Sequence, residues 1–218
     1  MSNFSNMEKR EMESFYNRNA EDYFQKTWKL DLKEIYDKFL RYVPSGGKIL
    51  DVGCGSGRDA YHFSQAGYVV TALDESIELI NKVRNHVDCQ VQHGSFYDFN
   101  EKNIYDGIWC CASLLHCAEN KLEDVLHSLI LGLKPLGILY MSYKVGEGIR
   151  YDEDRFFLDM NECKMSLLIG NLQECYLLQQ WIIIKIRPYR PCLYNGYIFI
   201  ASASSRYNSL IIKNSRYW

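Results

Sequence analysis

Apolar positions change rhythm twice along this chain, and each change marks a boundary. Up to about residue 43 the rhythm is helical: Leu32, Ile35, Tyr36, Phe39 and Leu40 recur at spacings of three and four and give one apolar face. Residues 7–43 are therefore predicted helical, stopped by Pro44 and turned by Gly46-Gly47. From Lys48 onward, short apolar runs alternate with amphipathic stretches. Strands are predicted at 48–52, 68–73, 89–92, 104–112 and 138–143, with helices at 58–66, 77–85 and 121–133, the last ending near Pro135. Short connections between such elements predict a parallel sheet covered by helices on both faces. The second change follows a helix predicted over 161–172. Two strand-like runs, 175–186 and 194–203, are separated by Arg187-Pro188-Tyr189-Arg190-Pro191, whose prolines break a strand. They suit an antiparallel hairpin at the sheet edge. Residues 204–218 follow no period. The expected organisation is a helical region (1–45), an α/β domain (46–203) and a C-terminal tail (204–218).

Composition narrows the class without deciding it. Hydrophobic residues make up 47% and charged residues 24%, as in an ordinary globular domain. The net charge of −2 supplies no global field toward nucleic acid or a membrane surface. No acid follows Glu174, but the cations beyond it are too sparse for an electrostatic footprint. None of the eight cysteines forms a C-x-x-C pair and several lie in apolar runs, which favours a reducing compartment. The opening MSNFSNMEKREMESF has no apolar signal-peptide core, and no apolar run reaches the length of a membrane span. The expectation is a cytoplasmic protein without a membrane partner. Cys110, Cys111, His116 and Cys117 do not read as a metal site, because adjacent strand residues point to opposite faces.

The sharpest local signal is Ile49-Leu50-Asp51-Val52-Gly53-Cys54-Gly55-Ser56-Gly57, where a strand hands over to a helix. Ligands of open α/β sheets bind at that end of the strands, and glycines let them approach the backbone. Dinucleotide sites use G-x-G-x-x-G to bring a pyrophosphate to a helix N-terminus. Here the spacing is G-x-G-x-G with Arg58 immediately after, which argues against a nicotinamide dehydrogenase. Asp74 closes the next strand, where a carboxylate can accept from both hydroxyls of a ribose. Arg58 could form a forked pair with a ligand carboxylate.

With these residues in view, the chain resembles the class I S-adenosylmethionine-dependent methyltransferases, and among them the small bacterial tellurite-resistance-like group. The likeness rests on FYNRNAEDYF, ILDVGCGSGRDA, AGYVVTALDES, YDGIWCCASLLH, GLKPLGILYMSYKVGEGIR and RFFLDMNE, and spans residues 15–201. It implies a Rossmann-like, doubly wound, mostly parallel seven-stranded sheet with an antiparallel C-terminal strand, and N-terminal helices serving as a lid. It also implies S-adenosyl-L-methionine as cofactor and a small-molecule acceptor. By the same resemblance Asp51 belongs to the cofactor site, Gly53 and Gly55 pass under the methionine portion, Asp74 holds the ribose, Glu75 borders the adenine, Ser95 and Phe96 flank its ring, and the Cys111-Ala112-Ser113 segment ends the fourth strand beside the sulfonium. Relatives often carry an acid where Ser95 stands. Tyr16 and Tyr23 belong to the lid.

Methyl transfer asks the protein mainly for alignment and desolvation, since the cofactor carries the reactive group. His116, ending SLLH at the mouth of the expected site, is the candidate for contact with the acceptor. The resemblance also implies that Lys144, Arg150 and Arg187, with Arg155 and Arg190, come from segments around the acceptor; convergence of two would point to an anionic acceptor. Two other readings stay open: a methyltransferase-like module without turnover, and a nucleic-acid methyltransferase. The second would want an Asn/Asp-Pro-Pro-aromatic tetrad to grip a flipped base, which this sequence lacks.

Overall fold

The computed structural model describes residues 6–172, 175–187 and 190–202, with the backbone alone for 6–9 and 183–193. The helical opening is three helices rather than one: α1 (Asn6–Arg18), α2 (Ala20–Thr27) and α3 (Lys33–Leu40). The predicted apolar face of α3 is real, for Ile35, Tyr36 and Phe39 are buried on it. The alternating segment gives β1 (Lys48–Val52), α4 (Arg58–Gln65), β2 (Val69–Asp74), α5 (Ile77–His86), β3 (Gln90–His93), β4 (Tyr105–Cys110), α6 (Leu122–Gly132) and β5 (Leu133–Lys144). Next come a hairpin of β6 (Gly148–Asp152) and β7 (Arg155–Asp159), then α7 (Glu162–Asn171), β8 (Cys175–Arg187) and β9 (Arg190–Ala201).

Seven strands form one sheet in the order β3-β2-β1-β4-β5-β9-β8, and β6 and β7 pair separately. The pairs from β3 to β5 are parallel, whereas β9 runs antiparallel to both β5 and β8. This is the doubly wound arrangement with a reversed C-terminal strand that the pattern predicted. Two apolar clusters cover its faces. One, with Trp109 and Tyr140, packs against α3, α4 and α5. The other, with Ile108 and Cys110, packs against α6, α7 and β7. Alternation along β4 sends Trp109 one way and its neighbours the other. No helix among the described residues is long and apolar enough to cross a membrane.

Three boundaries differ from the pattern. Pro135 lies inside β5, at the register irregularity between β4 and β5, where a missing amide donor is tolerated. Pro191 lies inside β9, paired with Ile186; β5 already stops at the Lys144–Tyr194 pair, so only β8 flanks the chain there. The β6–β7 hairpin is too short and too mixed in polarity to stand out in the sequence. The 204–218 tail lies outside the described residues.

The helical opening is fastened to the sheet by one buried carboxylate. Asp59, at the start of α4, accepts from Arg58 Nε at 2.6 Å and Nη2 at 2.8 Å, from the Tyr36 hydroxyl at 2.5 Å and from Trp109 Nε1 at 2.9 Å. Burial pushes this carboxyl up, but Arg58 and the Tyr36 and Trp109 donors outweigh it and hold it below the ordinary carboxylate range. Replacing Asp59 by Ala would leave a buried guanidinium without its counter-charge and two ring donors without an acceptor. The expected loss is about 3–5 kcal/mol in urea unfolding, against about 1.5–3 kcal/mol for Tyr36→Phe, which removes only one donor. Equal losses would show that the ion pair adds nothing beyond the Tyr36 bond.

Candidate functional site

The loop after β1 is built across the end of β2. Gly53 and Cys54 amides donate to the Leu73 carbonyl at 2.7 and 3.0 Å, and the Gly55 amide donates to Asp74 Oδ2 at 2.8 Å. The other oxygen, Oδ1, accepts from the Ser76 amide at 2.9 Å. Gly53 and Gly55 have φ of 65° and 55°. A Cβ on Gly53 would lie 2.5 Å from Ser113 Cβ, and one on Gly55 would lie 3.0 Å from Tyr23 Cε1. Conformation and close approach thus both require glycine here. Burial raises the Asp74 carboxyl above its ordinary value, opposed by the backbone amides of Ser76, Gly55 and Glu75.

Above this loop lies a cleft of about 630 Å³, bounded by Leu73, Asp74, Leu79, Ser95, Phe96 and Ser113 from the sheet side and by Met12, Tyr16 and Tyr23 from the helical opening. The Ser113 hydroxyl is buried and has no protein partner. The helices are docked over the cleft through Asn17, whose Oδ1 accepts from the Ser76 hydroxyl at 2.7 Å and the Glu78 amide at 3.3 Å. Lys82 pairs with Glu21 on the same interface.

A second cavity adjoins the first and shares Tyr16, Tyr23, Ala112 and His116 with it. Its further walls include Arg58, Cys111, Lys144, Arg155, Phe157 and Tyr194. In the shared wall the Tyr16 hydroxyl is 2.7 Å from His116 Nε2, and His116 Nδ1 is 2.6 Å from the Phe156 carbonyl. A carbonyl only accepts, so Nδ1 carries the proton and Nε2 accepts from Tyr16. Burial lowers the His116 pKa to about 3; the Phe156 carbonyl opposes this, while Arg155, Lys144 and Arg150 depress it further. Burial raises Tyr16 to about 12. Near neutrality both groups are uncharged.

Most of the predicted residues meet at the first cleft: Tyr16, Tyr23, Gly53, Gly55, Asp74, Glu75, Ser95, Phe96 and His116 all line it. Three do not. Asp51 is buried beneath the loop, where its Oδ2 accepts from the Ala60 amide at 3.1 Å, so it caps α4 instead of facing a ligand. Arg58 spends its fork on Asp59 and lines the second cavity, so the expected forked pair with a ligand carboxylate gives way to an internal ion pair. Cys111 lines the second cavity too, within 3.8 Å of Arg58 Nη2. His116 reaches both cavities, but both ring nitrogens are already engaged. Lys144 and Arg155 line the second cavity, and Arg150 stacks on Phe157 behind it. The side chains of Arg187 and Arg190 lie outside the described residues. Ser113, from the segment expected beside the sulfonium, lines the first cleft, whereas no local pattern marks Phe157. Ser113 could have been sought as the neighbour that forces Gly53 to be glycine, but only the folded chain brings β1 and β4 together.

Comparison with known proteins agrees with this geometry. Residues 49–137 match a family described as a methyltransferase domain. The chain is 30% identical over 109 residues to the ubiquinone biosynthesis O-methyltransferase of Xanthomonas axonopodis pv. citri, covering 47% of this chain and 45% of the relative. It is 33% identical over 117 residues to a protein of Haemophilus influenzae named probable S-adenosyl-L-methionine-dependent methyltransferase TehB, covering 50% and 40%. The aligned region thus spans about half the length of these curated relatives. Among solved structures, the 1,6-didemethyltoxoflavin-N1-methyltransferase of Burkholderia thailandensis, bound to 1,6-didemethyltoxoflavin and S-adenosylhomocysteine, superposes with a TM-score of 0.77 at 16% identity. That match covers 93% of this chain and 92% of the other.

His116 makes stability depend on pH in a definite direction. Its folded pKa of about 3 lies below the ordinary 6.5, so the unfolded chain binds the proton first as pH falls. The native state should therefore lose on the order of 4–5 kcal/mol from this group between pH 6.5 and 3, and nothing above that window. Urea midpoints of wild type and His116→Gln across the range isolate the term. Wild type should fall more steeply below pH 6.5, and parallel profiles would refute a buried neutral imidazole.

Proposed function

We propose that this chain, whose residues 49–137 match a methyltransferase domain and whose fold is that of a solved methyltransferase, transfers a methyl group from S-adenosylmethionine to a small organic acceptor. The observation that carries the reading is Asp74. Its oxygens accept from backbone amides, Oδ2 from Gly55 and Oδ1 from Ser76, with the Glu75 amide adding to them, and the carboxylate lines the cleft, where it can accept from the hydroxyls of a ribose. Leu73, Leu79 and Phe96 offer apolar surface for an adenine, and Gly53 and Gly55 let the methionine portion lie close to the backbone. The partnerless Ser113 hydroxyl supplies a hydrogen-bonding site in the same cleft.

When bound, the cofactor supplies a methyl group on a positively charged sulfur. The protein supplies the rest. Tyr16, Tyr23 and His116 stand in the wall common to both cavities, so that wall is the crossing point between donor and acceptor. His116 fixes the Tyr16 hydroxyl through Nε2; its strongly lowered pKa suits it to orienting that group rather than taking a proton. Tyr23, packed over Gly55, and Tyr16 form the inner face of a lid made by α1 and α2, which excludes water once closed.

Calorimetry should show one-to-one binding of S-adenosylmethionine and S-adenosylhomocysteine, and none of NAD. Asp74→Ala should weaken S-adenosylhomocysteine by roughly 30- to 150-fold, equivalent to about 2–3 kcal/mol. NAD binding as tight as S-adenosylhomocysteine, or an unchanged Kd in the folded variant, would refute the assignment. The lid has its own test. Amide exchange across residues 15–24 should slow at least several-fold when S-adenosylhomocysteine binds. Identical protection in both states would return Tyr16 and Tyr23 to plain packing.

A further inference from the structure

We infer that the second cavity is the acceptor site and that it takes a small organic anion, a carboxylate or comparable oxyanion on an apolar frame, with the charge against Lys144 and Arg155. The inference rests on the methyltransferase reading of the adjoining cleft.

Three segments deliver cations to one place. Lys144 ends β5, Arg150 lies on β6 and Arg155 on β7. Around the Phe157 ring, Lys144 Nζ stands 4.1 Å from the centroid, Arg150 Cζ 4.2 Å and Arg155 Cζ 5.2 Å. Such crowding of like charge is costly unless counter-charges answer it. Arg150 is answered within the protein by Asp159, at 2.6 Å and with a side chain only 12% exposed. Arg155 is not answered in the same way. Its nearest carboxylates, Asp152 and Glu153, stand at 3.5 Å with side chains 52% and 66% exposed, where water and salt screen them. Its buried Nε has no hydrogen-bond partner at all. The Arg155 guanidinium lines the second cavity beside the solvent-screened Asp152, and carboxylates match guanidinium geometry well. The third cation of the cavity, Arg58, is neutralised by Asp59.

The electrostatic effect on His116 points the same way, since Arg155, Lys144 and Arg150 all depress its protonation. The opposite walls are apolar, with Leu30, Leu32 and Ile35. A ligand with a charged end and an apolar body would match this division, its body lying toward the Tyr16–Tyr23 wall where the two cavities meet.

The test pairs each carboxylate with its neutral amide: acetate, benzoate, 2-naphthoate, indole-3-acetate and decanoate against the corresponding carboxamides. Each is titrated by calorimetry into the full chain saturated with S-adenosylhomocysteine at pH 7.5. At least one carboxylate should bind ten-fold or more tightly than its amide. Lys144→Gln, which alters the second cavity alone, should cut that preference at least three-fold while S-adenosylhomocysteine still binds within three-fold of wild type. If S-adenosylhomocysteine binds but no carboxylate outcompetes its amide, the anionic acceptor is overturned and the methyltransferase reading stands. If Lys144→Gln leaves the preference intact, the charge is held elsewhere and the inference fails. If S-adenosylhomocysteine itself does not bind, the methyltransferase reading falls as well.

Discussion

A carboxylate buried beneath an aromatic layer holds this protein's two halves in register. Asp59 receives the Arg58 fork, the Tyr36 hydroxyl and the Trp109 indole, so that α3, α4 and β4 meet at one charged centre. The aromatic side chains around it stack and tilt against one another, with Trp109 and Tyr140 4.0 Å apart and Phe39 and Phe63 edging onto Trp109. A buried ion pair is a poor source of net stability, because desolvation cancels most of its attraction. Its value here is specificity. Only one placement of α3 on the sheet satisfies all of those donors, and that placement sets where α1 and α2 cross the open end of the sheet.

From that end the site is assembled in layers. The glycine loop is drawn onto β2 through Leu73 and Asp74, and the same Asp74 reaches on to the start of α5 through the Ser76 amide. Asn17 of α1 binds the beginning of α5 beside it. Any ligand that fills the cleft therefore touches elements already bonded to the helical opening, which gives ligand binding and helix docking a shared set of contacts. Tyr16 extends the connection into the second cavity, because its hydroxyl meets His116 and Arg155 while its ring edges onto Tyr23. The β6–β7 hairpin supplies the Phe156 carbonyl that fixes the His116 tautomer and the arginines that charge the second cavity. One small hairpin after β5 thus touches both the imidazole and the second cavity.

Much of this was legible in the sequence because it depends on local period and on turn chemistry. The switch from helical spacing to short apolar runs fixed the layer architecture, and the hairpin after α7 predicted the reversed strand. Gly53, Gly55 and Asp74 could be placed because a glycine turn after a strand and an acid closing the next strand are both local patterns. Within the helical opening, the breaks at Asn19 and 28–32 leave no such mark, because their effect is smaller than that of proline or paired glycines. Pro135, expected only to end a helix, and Pro191, expected to break a strand, both lie inside strands, since a proline's penalty depends on whether a neighbouring strand needs its amide.

What the sequence by itself determined is the class of fold, the end of the sheet at which the glycine loop meets Asp74, and the residues whose placement follows from backbone conformation. What only the tertiary structure decided is how the charges are partnered. Asp51 and Arg58 sit in the most conspicuous motif of the chain, yet one caps α4 and the other is consumed by Asp59. Lys144 and Arg155, far less conspicuous, converge on Phe157 from separate strands. The physical reason is range. Backbone conformation is set by neighbours a few residues away, whereas a side chain's ionisation and its hydrogen-bond partners are set by whatever folding brings within a few ångströms, and by how much water it leaves between them.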